Sequence, residues 1–332
     1  MRRWSLLALV VVLGACDEGG ESTGGGGSGG SGGDAATTGG GDEGGGTTNP
    51  QGETITLTLE SFDVEPGTER QVCKTINLPA GADVNIVQMR SEMQGTSHHF
   101  NVYKVLEGDV TAPVTAEEST VHDCSPAAEQ LNGTAAYIFG SASPERIVDM
   151  PEGIGFHLLD GQRIILEQHV INATPDVIQG GATFDLGVAA DDAMIEHHAD
   201  IMWLANWSIF LPAAQETTIT EHCTVPYDVE VFGLMSHTHA LGTHFSIEKW
   251  TDVESTHLYD STDWAHPVYM ELGPALSLST GEGFEWSCTY TNTTDHNVMA
   301  GQNSTDEMCM MFAYAYPKDS LSADPIQCNK PL

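Results

Sequence analysis

The chain has 332 residues, 47 of them acidic and 11 basic, for a formal net charge of −36. Sixteen of its 36 glycines fall between Asp17 and Pro50, and without residues 1–50 the remaining 282 carry 41 acids (47 less 6) and 9 bases (11 less 2), a net of −32. A surface this negative repels nucleic acid and anionic headgroups, which excludes DNA or RNA as a partner while saying little about fold.

The chain opens with Arg2 and Arg3, then the apolar run "LLALVVVL", then "LGAC" ending at Cys16. The run is too short to span a bilayer, and the pattern is that of a cleaved export signal. Small residues before a cysteine resemble a bacterial lipobox, so residues 1–16 are expected to be a lipoprotein signal with Cys16 as the lipidated residue. The protein is then an exported, lipid-anchored component of a bacterial cell envelope, in the periplasm or at the outer membrane and cell surface. Residues 17–50 are Gly, Ser, Thr and acid, with too little apolar surface to offset chain entropy. They are expected to form a disordered tether with a root-mean-square reach of roughly 30–35 Å.

From Thr54 the pattern changes to short β-strands separated by turn signals. "TITLTLESFDV" alternates; "HFNVYKVL" (His99–Leu106), "RIILEQHVIN" from Arg163 and "VEVFGLMSHTHALGTHFSIEKW" from Val229 follow. "FEWSCTYTN" (Phe284–Asn292) and "MCMMFAYAYP" (Met308–Pro317) close the series. This spacing predicts an all-β protein of antiparallel sandwiches. The weakly patterned "DDAMIEHHAD" (Asp191–Asp200) marks the boundary between a first domain, 51–195, and a second, 196–332. No internal repeat is legible.

Besides Cys16 there are six cysteines, an even number that suggests three disulfides in an exported protein, with fifteen pairings open. None forms a CxxC pair, which argues against a zinc ribbon. Fourteen histidines invite a metal reading. His237 and His239 in "SHTHALG" are two apart, so on a strand both rings project from one face. His98 and His99 are adjacent and need a bulge or a strand end to point together. His169 stands alone on an apolar strand. His197 and His198 lie in the acidic stretch and are expected to be solvated; His244 is expected to be structural.

The order HH, strand-borne H, HTH and "DEMC", together with "GIGFHLLDGQRIILEQHVIN" and "HTHALG", resembles the copper type II, ascorbate-dependent monooxygenases, the peptidylglycine α-hydroxylating and dopamine β-monooxygenases. The resemblance runs from about Thr54 to Cys328. It implies two jelly-roll-like domains facing across a solvent-filled cleft with two coppers per chain. One copper would be held by His98, His99 and His169, and the other, which handles O2, by His237, His239 and Met308. A thioether favours Cu(I) and is a poor zinc ligand, so Met308 also weighs against a zinc hydrolase. The resemblance pairs Cys288 with Cys309 and Cys223 with Cys328, which leaves Cys73 with Cys124.

The pattern departs at the substrate. Where peptidylglycine enzymes anchor a carboxylate with arginine, asparagine and tyrosine, this chain has Met235, Met310 and Phe312, which removes the charged contacts. The expected reaction is hydroxylation of a C–H bond in a small apolar or amine substrate, with O2 and ascorbate or another one-electron reductant, by a monomer with no side chain acting as acid or base. The alternative is a non-catalytic copper-binding lipoprotein on the same scaffold.

Overall fold

The computed structural model describes residues 49–94, 97–106, 108–124, 134–301 and 303–317, and among them there is strand and turn but no helix. Period-two burial is why. In β1 (Gln51–Val64), Ile55, Leu57 and Leu59 are buried while the residues between them are exposed, the signature of a strand with one face on a core.

Four sheets are built this way. The first contains β1, β3 (Val84–Met93), β7 (Glu145–Asp149), β8 (Ile154–Leu158), β10 (Ile178–Ala189) and β11 (His197–His198), in the order β1-β10-β3-β8-β11 with β7 also on β3. The second contains β2 (Glu69–Asn77), β4 (Ser97–Val105), β5 (His122–Asp123), β6 (Ala135–Ser141) and β9 (Arg163–Ile171), ordered β5-β2-β9-β4-β6. The third is β12 (Asp200–Ala205), β15 (Val229–His237), β18 (Met270–Leu278) and β21 (Met310–Tyr316), ordered β12-β21-β15-β18. The fourth is β14 (Glu216–Thr224), β16 (Gly242–Trp250), β17 (Ser255–Ser261) and β19 (Gly283–Thr291), ordered β14-β19-β16-β17. A ribbon of β13 (Phe210–Leu211) and β20 (Val298–Met299) stands apart. Among the described residues the named strands pair antiparallel, except β8 with β11.

The first two sheets share a core in which Phe184 meets Phe100 and Phe139, with ring centroids 6.2 and 4.9 Å apart. The last two share a second core around Trp286, Phe284 and Phe245. Each such ring contributes roughly 1.5–3 kcal/mol by leaving water. β21 explains how the halves join. Met311, Ala313 and Ala315 point into the second core, while Met310, Phe312 and Tyr314 point the other way, into the first. Phe312 stacks on Tyr137 at 4.6 Å, and the Tyr314 hydroxyl donates to the Ile138 carbonyl at 3.1 Å. The second and third sheets therefore touch through aromatic side chains at this point.

Two expectations change. Asn49, placed in the tether by composition, is buried, and its amide donates to the carbonyls of Pro151 (2.7 Å) and Ile154 (2.8 Å), so the folded body begins before residue 51. His197 is exposed and His198 half-buried, in keeping with the solvated pair the sequence suggests, although the two form β11 with their rings against Tyr316 and His157. A repeat is also present. Gly161 and Gly281 both sit at positive φ and donate their amides to Leu78 and Val225. Eleven residues after each comes a buried asparagine, Asn172 or Asn292, whose side chain closes a turn. Asn172 Nδ2 donates to Val64 and Asp176 carbonyls, and its Oδ1 accepts from the Thr174 amide and hydroxyl. Asn292 does the same with Leu211, His296 and Thr294. The two turns are 120 residues apart (292 less 172), and so few positions carry the match that the sequence hides it.

Cys73–Cys124 and Cys288–Cys309 are disulfides. Cys223 is disulfide-bonded; its expected partner Cys328, like Cys16 and residues 17–48 of the tether, lies outside the described residues.

Candidate metal centre

β9 is buried on both faces. Ile164, Leu166 and Val170 enter the first core, and the alternate residues Ile165, Glu167 and His169 face the other sheet pair. The neighbouring β4 runs antiparallel, with His99 opposite His169 and Ser97 opposite Val170. Two steps on β4 thus match one on β9, and His98 is the extra residue of a bulge. The bulge turns two adjacent imidazoles to one side. Ring centroids of His98, His99 and His169 are 5.0–5.3 Å apart, and one nitrogen from each lies within 4.8 Å of the others.

The second set is assembled differently from what its spacing suggests. His237 is the last residue of β15, and His239 lies beyond the strand in the turn to β16, so the two do not share a strand face. A carboxylate shapes the turn instead: Glu307 accepts from the amides of His239 (2.9 Å) and Leu241 (2.7 Å). Gly242 is required beside it, because a Cβ there would lie 2.3 Å from Thr238 Oγ1. His239 Nδ1 bonds the Asp306 carbonyl at 2.9 Å, which leaves Nε2 facing outward, and the His237 and His239 rings are 5.2 Å apart. Met308 follows Glu307; its carbonyl accepts from the Tyr290 hydroxyl, and the next residue is pinned to β19 by Cys288–Cys309.

Both sets line one cavity of ≈ 960 Å³, its open mouth included. His98, His99, His169, His237, His239 and Met308 border it, and so do Met235, Met310 and Phe312. Trp203 and Trp207 complete the apolar wall, with the Trp203 indole donating to Met310 Sδ at 3.3 Å. His99 and His237 approach to 6.4 Å across it. His244 is outside this cavity and bonds Asp260 at 2.7 Å, in keeping with a structural role.

The electrostatics suit neutral ligands. Burial, reinforced by the neighbouring His99 and His169, pushes His98 down to about 2. Burial likewise lowers His169, His237 and His239. At neutral pH these four imidazoles are uncharged and keep a lone pair for a metal. Carboxylates orient the first set: His99 Nε2 meets Glu167 Oε1 at 3.2 Å and His169 Nε2 meets Glu69 Oε2 at 3.1 Å. Burial raises the Glu167 carboxyl, but the facing His99 and hydrogen bonds from His99, Asn101 and Gln71 outweigh it and hold it below the usual range. By donor chemistry three imidazoles fit copper in either oxidation state, and two imidazoles with a thioether fit Cu(I).

Sequence reasoning missed Glu167, Glu69, Glu307 and the two tryptophans. Glu167 had a signal: it stands two before His169 and so on the same strand face. Trp203 and Trp207 had none, since only the packing of the third sheet on the second brings them to the histidines.

Residues 197–330 match the family described as copper type II ascorbate-dependent monooxygenase, C-terminal domain. The "Putative DBH-like monooxygenase protein 2" of Homo sapiens is 24% identical over 251 residues, covering 69% of this chain and 48% of that protein, so the chain spans about half the length of this relative. Among solved structures, the STIV MCP (TM-score 0.37, 11% identity, covering 82% of this chain and 100% of that one) shares a loose likeness. So does PNGase F, a glycosylasparaginase from Flavobacterium meningosepticum (TM-score 0.36, 9% identity, 80% and 96%); neither carries an argument at that level.

Proposed function

We propose, from the copper type II ascorbate-dependent monooxygenase family that the family match and the human relative support, that this chain holds two coppers and hydroxylates a C–H bond of a small apolar molecule with O2 and a one-electron reductant such as ascorbate. The observation that carries the reading is the meeting of all six expected ligands on one cavity. When bound, copper would supply the one-electron chemistry and the handling of O2.

The chain's own residues do the rest. His98, His99 and His169 hold one metal and His237, His239 and Met308 the other. Trp203, Trp207, Met310 and Phe312 bind an apolar substrate by dispersion and keep water from it. An amine is disfavoured because Glu167, the carboxylate among the lining residues, already faces His99, Asn101 and Gln71. A peptide carboxylate would meet the thioethers of Met235 and Met310 and the ring of Phe312. No lining side chain is given the role of acid or base. Export and lipid anchoring through Cys16 belong to the same proposal, supported by the leader sequence and its tether.

The test is copper stoichiometry of the full chain, followed by reductant-driven O2 uptake with apolar substrates. Two coppers and substrate-dependent uptake are expected, with Met308→Ala keeping about half the metal and losing turnover. One copper or none, or uptake indifferent to Met308→Ala, sinks the reading. Two coppers without uptake on any substrate would instead favour the non-catalytic copper-binding alternative.

A further inference from the structure

His98 differs from the other two imidazoles of its set. His99 and His169 each meet a carboxylate, whereas among the described residues His98 makes no hydrogen bond. It is also the extra residue of the bulge, so the β4–β9 ladder gives it no partner of its own. Three rings lie against it instead: His99 at 5.0 Å, His169 at 5.3 Å and Trp264 at 5.6 Å, the last tilted by 56°.

Trp264 does not come from the sheet that carries His98. It belongs to the loop 262–269, which joins β17 of the fourth sheet to β18 of the third. The half-buried indole thus reaches the three-histidine set from the other half of the molecule. The loop keeps its shape without strand pairing. Asp263 Oδ1 accepts from the amides of Ala265 (3.0 Å) and His266 (3.1 Å), which turns the chain tightly around Trp264. The Val268 carbonyl accepts from the Tyr259 hydroxyl at 2.9 Å, and this ties the loop to its own half. The Pro267 carbonyl accepts from Arg146 Nη2 at 3.1 Å, and this ties it to the half that carries His98. Arg146 also donates to the Gly140 carbonyl of β6 at 3.1 Å, and no carboxylate pairs with it among the described residues. A buried cation without an acid is costly. Bridging the loop to β6 is the work this one does.

Resting on the copper reading above, we infer that Trp264 is a positioning residue: its indole fixes the His98 ring in the orientation that turns it toward His99 and His169. The three-histidine site is then completed by a residue of the second half. A ring without a hydrogen bond gives up its side-chain freedom when a metal binds, and a wall that has already removed that freedom spares the site the loss. Contact between two aromatic rings at this separation needs a ring, and does not need the indole nitrogen.

The test uses the full chain in a Met308→Ala background, where the three-histidine copper is the one retained. Cu(II) affinity is measured by chelator competition, and bound imidazoles are counted from nitrogen couplings in pulsed electron paramagnetic resonance. Trp264→Ala is expected to weaken Cu(II) binding about tenfold, the usual scale for losing a residue that orients a ligand, and to lower the imidazole count by one. Trp264→Phe should restore the count and most of the affinity. Trp264→Ala added to His98→Ala should cost nothing further, because the effect passes through that ring. No loss with Trp264→Ala, or an equal loss when His98 is already absent, overturns the inference, since a loop that only stabilises the fold would act with or without His98. If Trp264→Ala does not fold, Trp264→Leu replaces it, with the same expected and overturning results. Absence of copper from the wild-type chain would fell the functional reading and this inference together; full wild-type copper with affinity unmoved by the variant fells this inference alone.

Discussion

The rings of His99 and His237 lie 6.4 Å apart and nearly perpendicular, at 87°, one on a strand of the second sheet and the other at the end of a strand of the third. Metals held by rings this close fall within dipolar range of each other. In the fully oxidised, doubly loaded protein, the electron paramagnetic resonance spectrum is expected to show dipolar broadening and a half-field transition. His237→Ala should leave a sharp spectrum of isolated Cu(II). Two independent, unbroadened signals in the wild type would contradict the 6.4 Å approach.

Met235 stands where peptidylglycine enzymes carry an arginine, and the structure shows what already occupies that region. Arg146 of β7 is buried there, its guanidinium donating to the Gly140 and Pro267 carbonyls at 3.1 Å and touching Met235 Sδ. Met235→Arg would set a second cation against it with no acid to share. The expected cost is on the order of 3–5 kcal/mol, the usual penalty for an uncompensated buried charge, read by urea unfolding. A variant as stable as the wild type would contradict the burial of Arg146 against Met235.

Glu307 provides a pH signature. Burial pushes its carboxyl from 4.5 up to about 7, although backbone amides of Leu241, His239 and Met308 act in the other direction. The folded state therefore holds its proton over a range where the unfolded chain has released it. Stability is complete below about pH 4.5, falls as pH rises, and levels off above about 7. At about 1.4 kcal/mol per tenfold in proton affinity, the decline is on the order of 3 kcal/mol in the metal-free protein. Glu307→Gln should lack this slope. A difference between wild type and variant that is constant with pH in denaturant titrations would refute the account.

The two sheet pairs share a core through Met310, Phe312 and Tyr314, so the body is expected to unfold in one calorimetric transition. Phe312→Ala removes the ring stacked on Tyr137 and should lower stability by about 3–5 kcal/mol. Two separated transitions in the wild type would show that the aromatic contact does not couple the halves.

Strand class and the main strands were legible because burial on one face leaves a period of two, as in Ile55, Leu57 and Leu59. The run from Val229 to Trp250 was less transparent: it reads as continuous but breaks at residues 238–241, where Glu307, distant in sequence, holds the turn. The six candidate ligands could be named because their residue types and order are informative alone. That His98 and His99 could converge only at a bulge was also readable, and the register supplies one. What surrounds them was not. Glu167 reaches His99 through the register of three strands, and Arg146 reaches Met235 through the packing of two sheets, neither of which is written in local sequence.

The paired turns at Asn172 and Asn292 bear on how the chain assembles. Each is closed by its own side chain and a threonine two residues on, so each can nucleate its strand ends locally before long-range pairing begins. Two nuclei of the same shape in one chain carry a hazard, because a strand from one sheet pair can dock on the template belonging to the other. The low similarity between the strands that flank the two turns guards against that exchange. Divergence between the copies keeps assembly faithful, and leaves His169 on one of the two matching strands while the residue 120 positions later is Thr289.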